Sequence, residues 1–324
     1  MSGSAGSVTA ELLAPPATPV GAEARDRLSD LLVDGVAAAV AGLAPGGPVE
    51  VTLSSLRRAR SHPAELGEPG PAFAWKPVFV RRSLGLAAVR ACIDGRFRAP
   101  AEAVVAVAGE AVEDWRRTGS RSFHWEPWFA GLGSGARAVV LADAVTWASG
   151  LWTAVEWTRI GPRAVLGAPD VVWACPAPHP VRLRGRSEVT VDLGGPHPGD
   201  GRTGGATALV TVSGGSPREG WTEELAFPAL VAAVRSPHRP VPARVLGLWP
   251  DSGDHRVVEV DGAVLGAAAR RVVSMVADTA DARAGHDPTA GTTGDRDDGM
   301  VAGAGGHPTA GGRVAGAPVG TGSS

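Results

Sequence analysis

Lysine is almost absent from this sequence. Lys76 is the only one, and every other basic side chain is an arginine, so chemistry that needs a lysine must find it at position 76. A GC-rich genome accounts for the bias toward arginine. The 31 basic and 33 acidic side chains nearly balance, leaving a formal net charge of -2. No overall field therefore draws the chain to nucleic acid or to a membrane, and any site for a polyanion must be a local cluster.

Cysteine is also scarce. Cys92 and Cys175 belong to no CxxC pair and to no His/Cys cluster, so a structural zinc site is not expected. Residues 1–16 lack a basic start followed by an unbroken apolar run, which argues against a signal peptide. The longest apolar stretch, residues 136–157, carries charged side chains and is too polar to span a bilayer. We therefore expect a cytoplasmic protein that does not associate with membranes.

Both ends of the chain lack a periodic apolar pattern. Residues 1–22 are rich in Ser, Ala, Pro and Gly, which predicts a flexible arm. Residues 283–324 have no aromatic side chain and consist mostly of Gly, Ala, Thr and Asp. Such a segment cannot bury enough apolar surface to offset its chain entropy, which predicts a disordered tail. Residues 23–282 remain as one folded domain.

The first half of this domain is predicted to be mainly helical. Apolar residues recur at helical spacing from Leu28 to Leu43, which predicts an amphipathic helix over residues 23–43. A short strand is expected at residues 49–53, followed by helices at 78–93, 100–117 and 135–157. The tryptophans of the last helix, Trp147, Trp152 and Trp157, are expected to pack in the core or in a groove.

The second half changes to the period of a strand. Residues 181–193 alternate strictly between apolar and polar, which predicts one continuous strand. In that strand Arg182, Arg184, Arg186 and Glu188 share a face. Three interpretations of this face stay open: solvated Arg–Glu pairs, a strip that binds phosphate, or a metal site. The metal site would combine Glu188 with Asp192 or Asp170.

The remaining elements favour an α/β layered domain. Strands are predicted at residues 208–213, 244–249 and 255–260, and helices at 219–235 and 262–280. Pro228 should kink or interrupt the first of these two helices. The order is strand–strand–helix–strand–strand–helix behind a helical front half, which suits layers of helices on a sheet better than a bundle or a sandwich.

Five short segments carry a more specific signal when they are taken in order. They are Ser54-Ser-Leu-Arg-Arg58, Arg81-Arg-Ser-Leu-Gly85, Gly185-Arg-Ser-Glu188, Leu209-Val-Thr-Val-Ser213-Gly-Gly215 and Glu224-Leu-Ala-Phe-Pro-Ala-Leu230. This set resembles the RecB-like branch of the PD-(D/E)XK nuclease superfamily over about residues 48–280. The resemblance implies a restriction-endonuclease-like α/β core, with the helical N-terminal half in front of it.

The resemblance also identifies the catalytic residues that this chain lacks. In the family, paired acids on two strands hold a divalent metal, and a lysine two residues after the second acid positions the attacking water. Glu188 matches the first acid, but Thr211 stands at the second acid and Ser213 at the lysine. Two other family positions differ. Val89 or Arg90 replaces a histidine, and Glu223 or Glu224 replaces a glutamine.

These departures predict a nuclease-like fold without hydrolytic activity and without a cofactor, which binds nucleic acid or another protein. Glu188, Thr211 and Ser213 are then remnants of the catalytic site, and Arg182, Arg184 and Arg186 are the residues expected to contact DNA. One alternative is an active nuclease with a migrated acid, which would need Mg²⁺ or Mn²⁺. Another is a structural protein that binds a helicase-like partner. Its contact surface would include the front-half tryptophans Trp115, Trp125 and Trp128.

Overall fold

The computed structural model describes residues 4–15, 20–41, 49–61, 74–119, 124–167, 170–175, 181–194, 206–236 and 239–285. The helices of the front half are α1 (Ala5–Leu13), α2 (Ala22–Val40), α3 (Leu53–Ser61), α4 (Pro77–Ile93), α5 (Pro100–Thr118), α6 (Glu126–Ala130), α7 (Ser134–Ala154) and α8 (Trp157–Ile160). The later helices are α9 (Trp221–Arg235) and α10 (Gly262–Gly285). The strands are β1 (Val49–Thr52), β2 (Ala164–Leu166), β3 (Val171–Ala174), β4 (Val181–Gly185), β5 (Val189–Gly194), β6 (Ala206–Val212), β7 (Arg244–Trp249) and β8 (Asp254–Glu259).

The strands form two mixed sheets. The larger sheet has the order β2-β5-β6-β7-β8, in which β6 and β7 are parallel and every other neighbouring pair is antiparallel. Helix α9 connects β6 to β7, as a parallel pair requires. The smaller sheet has the order β1-β4-β3, with β1 parallel and β3 antiparallel to β4.

Helices cover both faces of the larger sheet. Side chains that alternate along its strands point to opposite faces, and the two sets pack in two different cores. Val210 and Leu246 pack in one core with buried residues of α4, α5 and α7. Leu209 and Val245 pack in the other core with buried residues of α2, α9 and α10. This arrangement of helix, sheet and helix confirms the predicted α/β class.

The smaller sheet packs on the outer side of α9. The contact is close at Gly185, where a Cβ atom would lie 2.9 Å from Cβ of Val231 and 3.2 Å from Cα of Pro228. Pro228 was expected to kink or interrupt this helix, but α9 continues through it from Trp221 to Arg235. Pro228 is buried, so packing against β4 and the sheet offsets the hydrogen bond that its missing N–H cannot make.

The predicted strand over residues 181–193 is wrong as a single element. The chain leaves β4 at Gly185 and enters β5 at Val189, so the two strands belong to different sheets. The alternation of apolar and polar residues runs on through the connection, which is why the sequence resembles one strand. The other predicted strands and the long helices are present, with ends that differ by a few residues. Helix α3 and strands β2 and β3 were not predicted.

The predicted flexible arm is also wrong over residues 5–13, which form helix α1. Val8 and Leu12 are buried against the helical core of α4, α5 and α7. Arg244 on β7 is only 4% exposed and donates hydrogen bonds from its guanidinium to the carbonyls of Ala14 and Pro15. Its Nε pairs with Glu259. A buried arginine at the start of β7 therefore holds the end of α1.

The predicted disordered tail lies outside the described residues from position 286 onward. Of the helices that the structure describes, none is by itself long and apolar enough to cross a membrane. One bent pair, Ser134–Ala154 with Trp157–Arg163, meets the requirement of length and composition.

Candidate functional site

Glu188 lies in the connection between the two sheets, next to the middle of β6. Its backbone N–H donates to the carbonyl of Val210, and its Oε2 accepts a 2.8 Å hydrogen bond from the N–H of Val212. Its Oε1 pairs with the guanidinium of Arg82, which belongs to the first turns of α4. The Glu188 side chain is 8% exposed, so both carboxylate oxygens are held by the protein in a largely dry place.

Thr211 and Ser213 flank Val212 in the chain, and their side chains lie on the face of β6 that Leu209 shares. Both are buried. The Thr211 hydroxyl is 3.5 Å from the carbonyl oxygen of Leu246, and the Ser213 hydroxyl accepts a 2.9 Å hydrogen bond from Nη2 of Arg57. The hydrogen bond to Val212 thus brings the Glu188 carboxylate to the segment that contains Thr211 and Ser213, the other two predicted remnant residues.

Arg57 is a part of this site that the sequence did not reveal. It belongs to α3, and its Nε donates a 2.8 Å hydrogen bond to Glu224 in the first turn of α9. The side chains are 32% and 12% exposed, so the pair is partly shielded from water. The segment from Ser54 to Arg58 contributed to the family resemblance, but nothing in the sequence indicated that this arginine reaches Ser213.

A third ion pair closes the same end of the sheet. Arg81 on α4 lies 3.0 Å from Asp251 in the turn after β7, and Asp251 also accepts a 2.8 Å hydrogen bond from the N–H of Gly215. Each of the arginines Arg57, Arg81 and Arg82 is therefore matched with one carboxylate. The cluster is neutral as a whole and is held by elements from both halves of the chain.

The side chains present do not fit a divalent metal ion. Such an ion needs several oxygen ligands with free lone pairs, and Mg²⁺ gives up its water reluctantly. Glu188 is already bonded through both oxygens, and Thr211 offers a buried neutral hydroxyl. Within the described residues, no group of three or more His, Cys, Asp or Glu side chains could share a metal ion.

The predicted arginine strip lies elsewhere, on the outward face of the smaller sheet. Arg182 and Arg184 of β4 are exposed. Arg184 lies 3.1 Å from Glu50 and 3.6 Å from Asp170, and Arg186 lies 3.9 Å from Asp170. Glu188 does not share this face because it follows the break between the strands. Of the three arginines, only Arg182 has no acidic partner among the described residues.

The tryptophans agree with expectation only in part. Trp125, expected on an exposed contact surface, is fully buried, donates to the Ser83 hydroxyl and packs edge to face against Phe129. Trp115 and Trp128 are half-buried. The expected core positions of Trp147 and Trp157 are confirmed, since both are buried.

No protein-family model matches this sequence, and a comparison with curated proteins finds no match.

Proposed function

We propose that this chain is a nuclease-fold protein, similar to the RecB-like branch of the PD-(D/E)XK superfamily, that has no hydrolytic activity and acts by binding. The order of elements around the site supports the resemblance. Glu188 precedes one strand, Thr211 and Ser213 lie at the end of its neighbour, and α9 with Glu224 follows. The motif segments imply this same order.

The main support for the proposal is that both carboxylate oxygens of Glu188 are already bonded, one to Arg82 and the other to the N–H of Val212. A metal ion would have to displace a charge-assisted hydrogen bond, which is among the stronger contacts in proteins. It would gain in return one carboxylate, since Thr211 offers only a buried neutral hydroxyl. The tethered guanidinium of Arg82 thus supplies the positive charge that a metal would supply in an active enzyme.

Arg57 does not restore the chemistry of the missing lysine. A guanidinium donates hydrogen bonds and offers no acceptor, so it cannot take a proton from water. It is also held between Glu224 and the Ser213 hydroxyl, both at hydrogen-bond distance. Its position explains how the buried Ser213 hydroxyl and the partly buried Glu224 carboxylate are satisfied without a metal.

A cleavage assay tests this proposal. The full chain would be incubated with linear double-stranded DNA and with single-stranded DNA, in Mg²⁺, in Mn²⁺ and in EDTA, beside the variant Glu188→Gln. We expect no cleavage by either protein, with circular dichroism showing that both are folded. Metal-dependent cutting that disappears in Glu188→Gln would overturn the proposal and would favour an active nuclease with a migrated acid.

The exposed face of β4 supports nucleic acid as one binding partner. Arg182, Arg184 and Arg186 outnumber the acids that pair with them, Glu50 and Asp170, so the face keeps a small positive excess. Arginines on an open sheet face can contact phosphates without reading sequence. This contact would be weak and sensitive to salt, because most of its charge is already paired.

A further inference from the structure

A second site lies outside the charge cluster, at the C-terminal end of α4. A cavity of about 440 Å³ opens there, within the range of volumes that bind small ligands or single side chains. The residues that define its character are Cys92, Asp94, Trp152, Trp157, Ala164 and Leu166. Most of these are apolar or aromatic, and none belongs to the site around Glu188.

Among the described residues that line this cavity, Asp94 is the only charged one. Its nearest cation is Arg90, at 3.9 Å in a pair whose side chains are 58% and 52% exposed. Exposed pairs of this kind contribute little free energy, so Asp94 remains available to another cation. Burial, and then the negative charge of Glu102, raise the pKa of the Cys92 thiol, which therefore adds no charge to the cavity.

Strand β2 forms one wall of the cavity and is also an outer strand of the larger sheet. Ala164 and Leu166 face the cavity, while Val165 points to the opposite side and is 61% exposed. Among the strands that the structure describes, none pairs with the outer side of β2. An open strand edge with a pocket for alternate side chains is the arrangement by which proteins bind extended peptides.

We propose that β2 and this cavity bind an extended segment of a partner protein, which adds beside β2 and inserts an arginine or lysine side chain toward Asp94. The long apolar stem of such a side chain suits the walls of Trp152 and Leu166, and its charged head suits the carboxylate. A neighbouring apolar residue of the segment would cover Val165. This site rests on the proposed function, since a chain that acts by binding needs a surface for its partner.

Fluorescence anisotropy with two labelled pentapeptides, Thr-Val-Arg-Val-Thr and Thr-Val-Glu-Val-Thr, tests the site on the full chain. We expect the arginine peptide to bind on the order of tenfold more tightly than the glutamate peptide. Asp94→Asn should remove most of that preference, and Trp152→Ala should weaken the arginine peptide. The matched control is Asp114→Asn, a partly exposed aspartate on α5 outside the cavity, which should change neither affinity.

Equal affinity for the two peptides, or no detectable binding of the arginine peptide, would overturn this site. A stable dimer that Val165→Lys converts to a monomer would also overturn it, because a second copy would then cover the edge. The titration contains neither metal nor nucleic acid. Its failure would therefore remove the peptide site and leave the cleavage result, which tests the proposed function, unaffected.

Discussion

A buried carboxylate destabilises a protein unless its charge is matched, and Glu188 is matched at both oxygens by Arg82 and the N–H of Val212. The two side chains are not equally shielded, since Glu188 is 8% and Arg82 42% exposed. Loss of the arginine therefore leaves a carboxylate that water can reach only in part. The contribution of this pair to stability should be larger than that of a surface pair and smaller than that of a fully buried one.

We expect Arg82→Ala to lower the free energy of unfolding by about 1–3 kcal/mol, measured by urea denaturation. The matched control, Arg117→Ala, breaks an exposed pair with Asp114 and should cost less than about 0.5 kcal/mol. Adding Glu188→Gln to Arg82→Ala should recover part of the loss, because no unpaired charge then remains. If the double variant were less stable than Arg82→Ala alone, the pairing would not be the cause.

The reactivity of the Cys92 thiol at different pH values tests the effect of its surroundings on its pKa. Burial and then Glu102 raise its pKa, so at about pH 8 it carries less thiolate than a free cysteine. Because thiolate is the reactive form, iodoacetamide should label Cys92 more slowly in folded protein than in protein unfolded by urea at the same pH. In a Cys175→Ser background, labelling should accelerate as pH rises. Glu102→Gln should accelerate it at constant pH. Equal rates for folded and unfolded protein, followed by mass spectrometry, would contradict this account.

Among the elements, β4 and β5 show what a local pattern can and cannot predict. Alternation of apolar and polar residues identified both strands, because it reports which side chains are buried. It did not identify the break at residues 186–188, because the odd-numbered residues point inward in both strands although the strands belong to different sheets. The continuity of α9 through Pro228 was missed for a related reason, since it depends on packing against β4.

The candidate site was predictable only in part for the same reason. The ordered motif segments pointed to Glu188, Thr211 and Ser213, and in the structure Glu188 bonds to Val212, which lies between the other two. Arg57 and Arg82 were not predicted to close the site, because α3 and α4 lie more than a hundred residues before the strands that they contact. Sequence spacing carries no information about contacts of that kind.

The outward face of β4 allows a prediction about the binding of DNA. We expect Arg182→Glu to weaken binding of single-stranded DNA and to lower the slope of log affinity against log salt concentration by about one or more. Arg184→Glu should act less strongly, because Arg184 already pairs with Glu50 and Asp170. Arg117→Glu on α5 is the control and should leave the slope unchanged. An unchanged slope in Arg182→Glu would exclude this face as the contact with DNA.

For the molecule as a whole, the attachment of α1 is the feature that joins the beginning of the chain to its last strands. Composition alone predicted a flexible arm, because residues 1–22 are rich in Ser, Ala, Pro and Gly and show no periodic apolar pattern. The helix is held instead by two buried side chains, Val8 and Leu12, and by Arg244 from β7. Thr9 adds a further contact by accepting a 2.8 Å hydrogen bond from the N–H of Glu156.

We expect deletion of residues 1–15 to lower the free energy of unfolding by about 3–6 kcal/mol, from the lost burial of Val8 and Leu12. Arg244 would lose its carbonyl partners as well. Thermal unfolding of the deletion variant and of Leu12→Ala measures both effects, with Glu11→Ala at an exposed position of α1 as the control. A deletion variant that unfolds at the temperature of the full chain would show that α1 does not contribute to the fold.

The hydrogen bonds from Arg244 to the end of α1 also affect how the protein folds during its synthesis. The hydrogen bond to Ala14 joins residues 230 positions apart, so α1 leaves the ribosome long before the arginine that secures it. At a translation rate of about 5–20 residues per second, Arg244 on β7 is synthesised roughly 10–50 seconds after α1. During that time Val8 and Leu12 have no finished core to enter. Helix α1 is therefore translated well before β7 but is secured only after it, and a nascent chain released early would carry this helix unprotected.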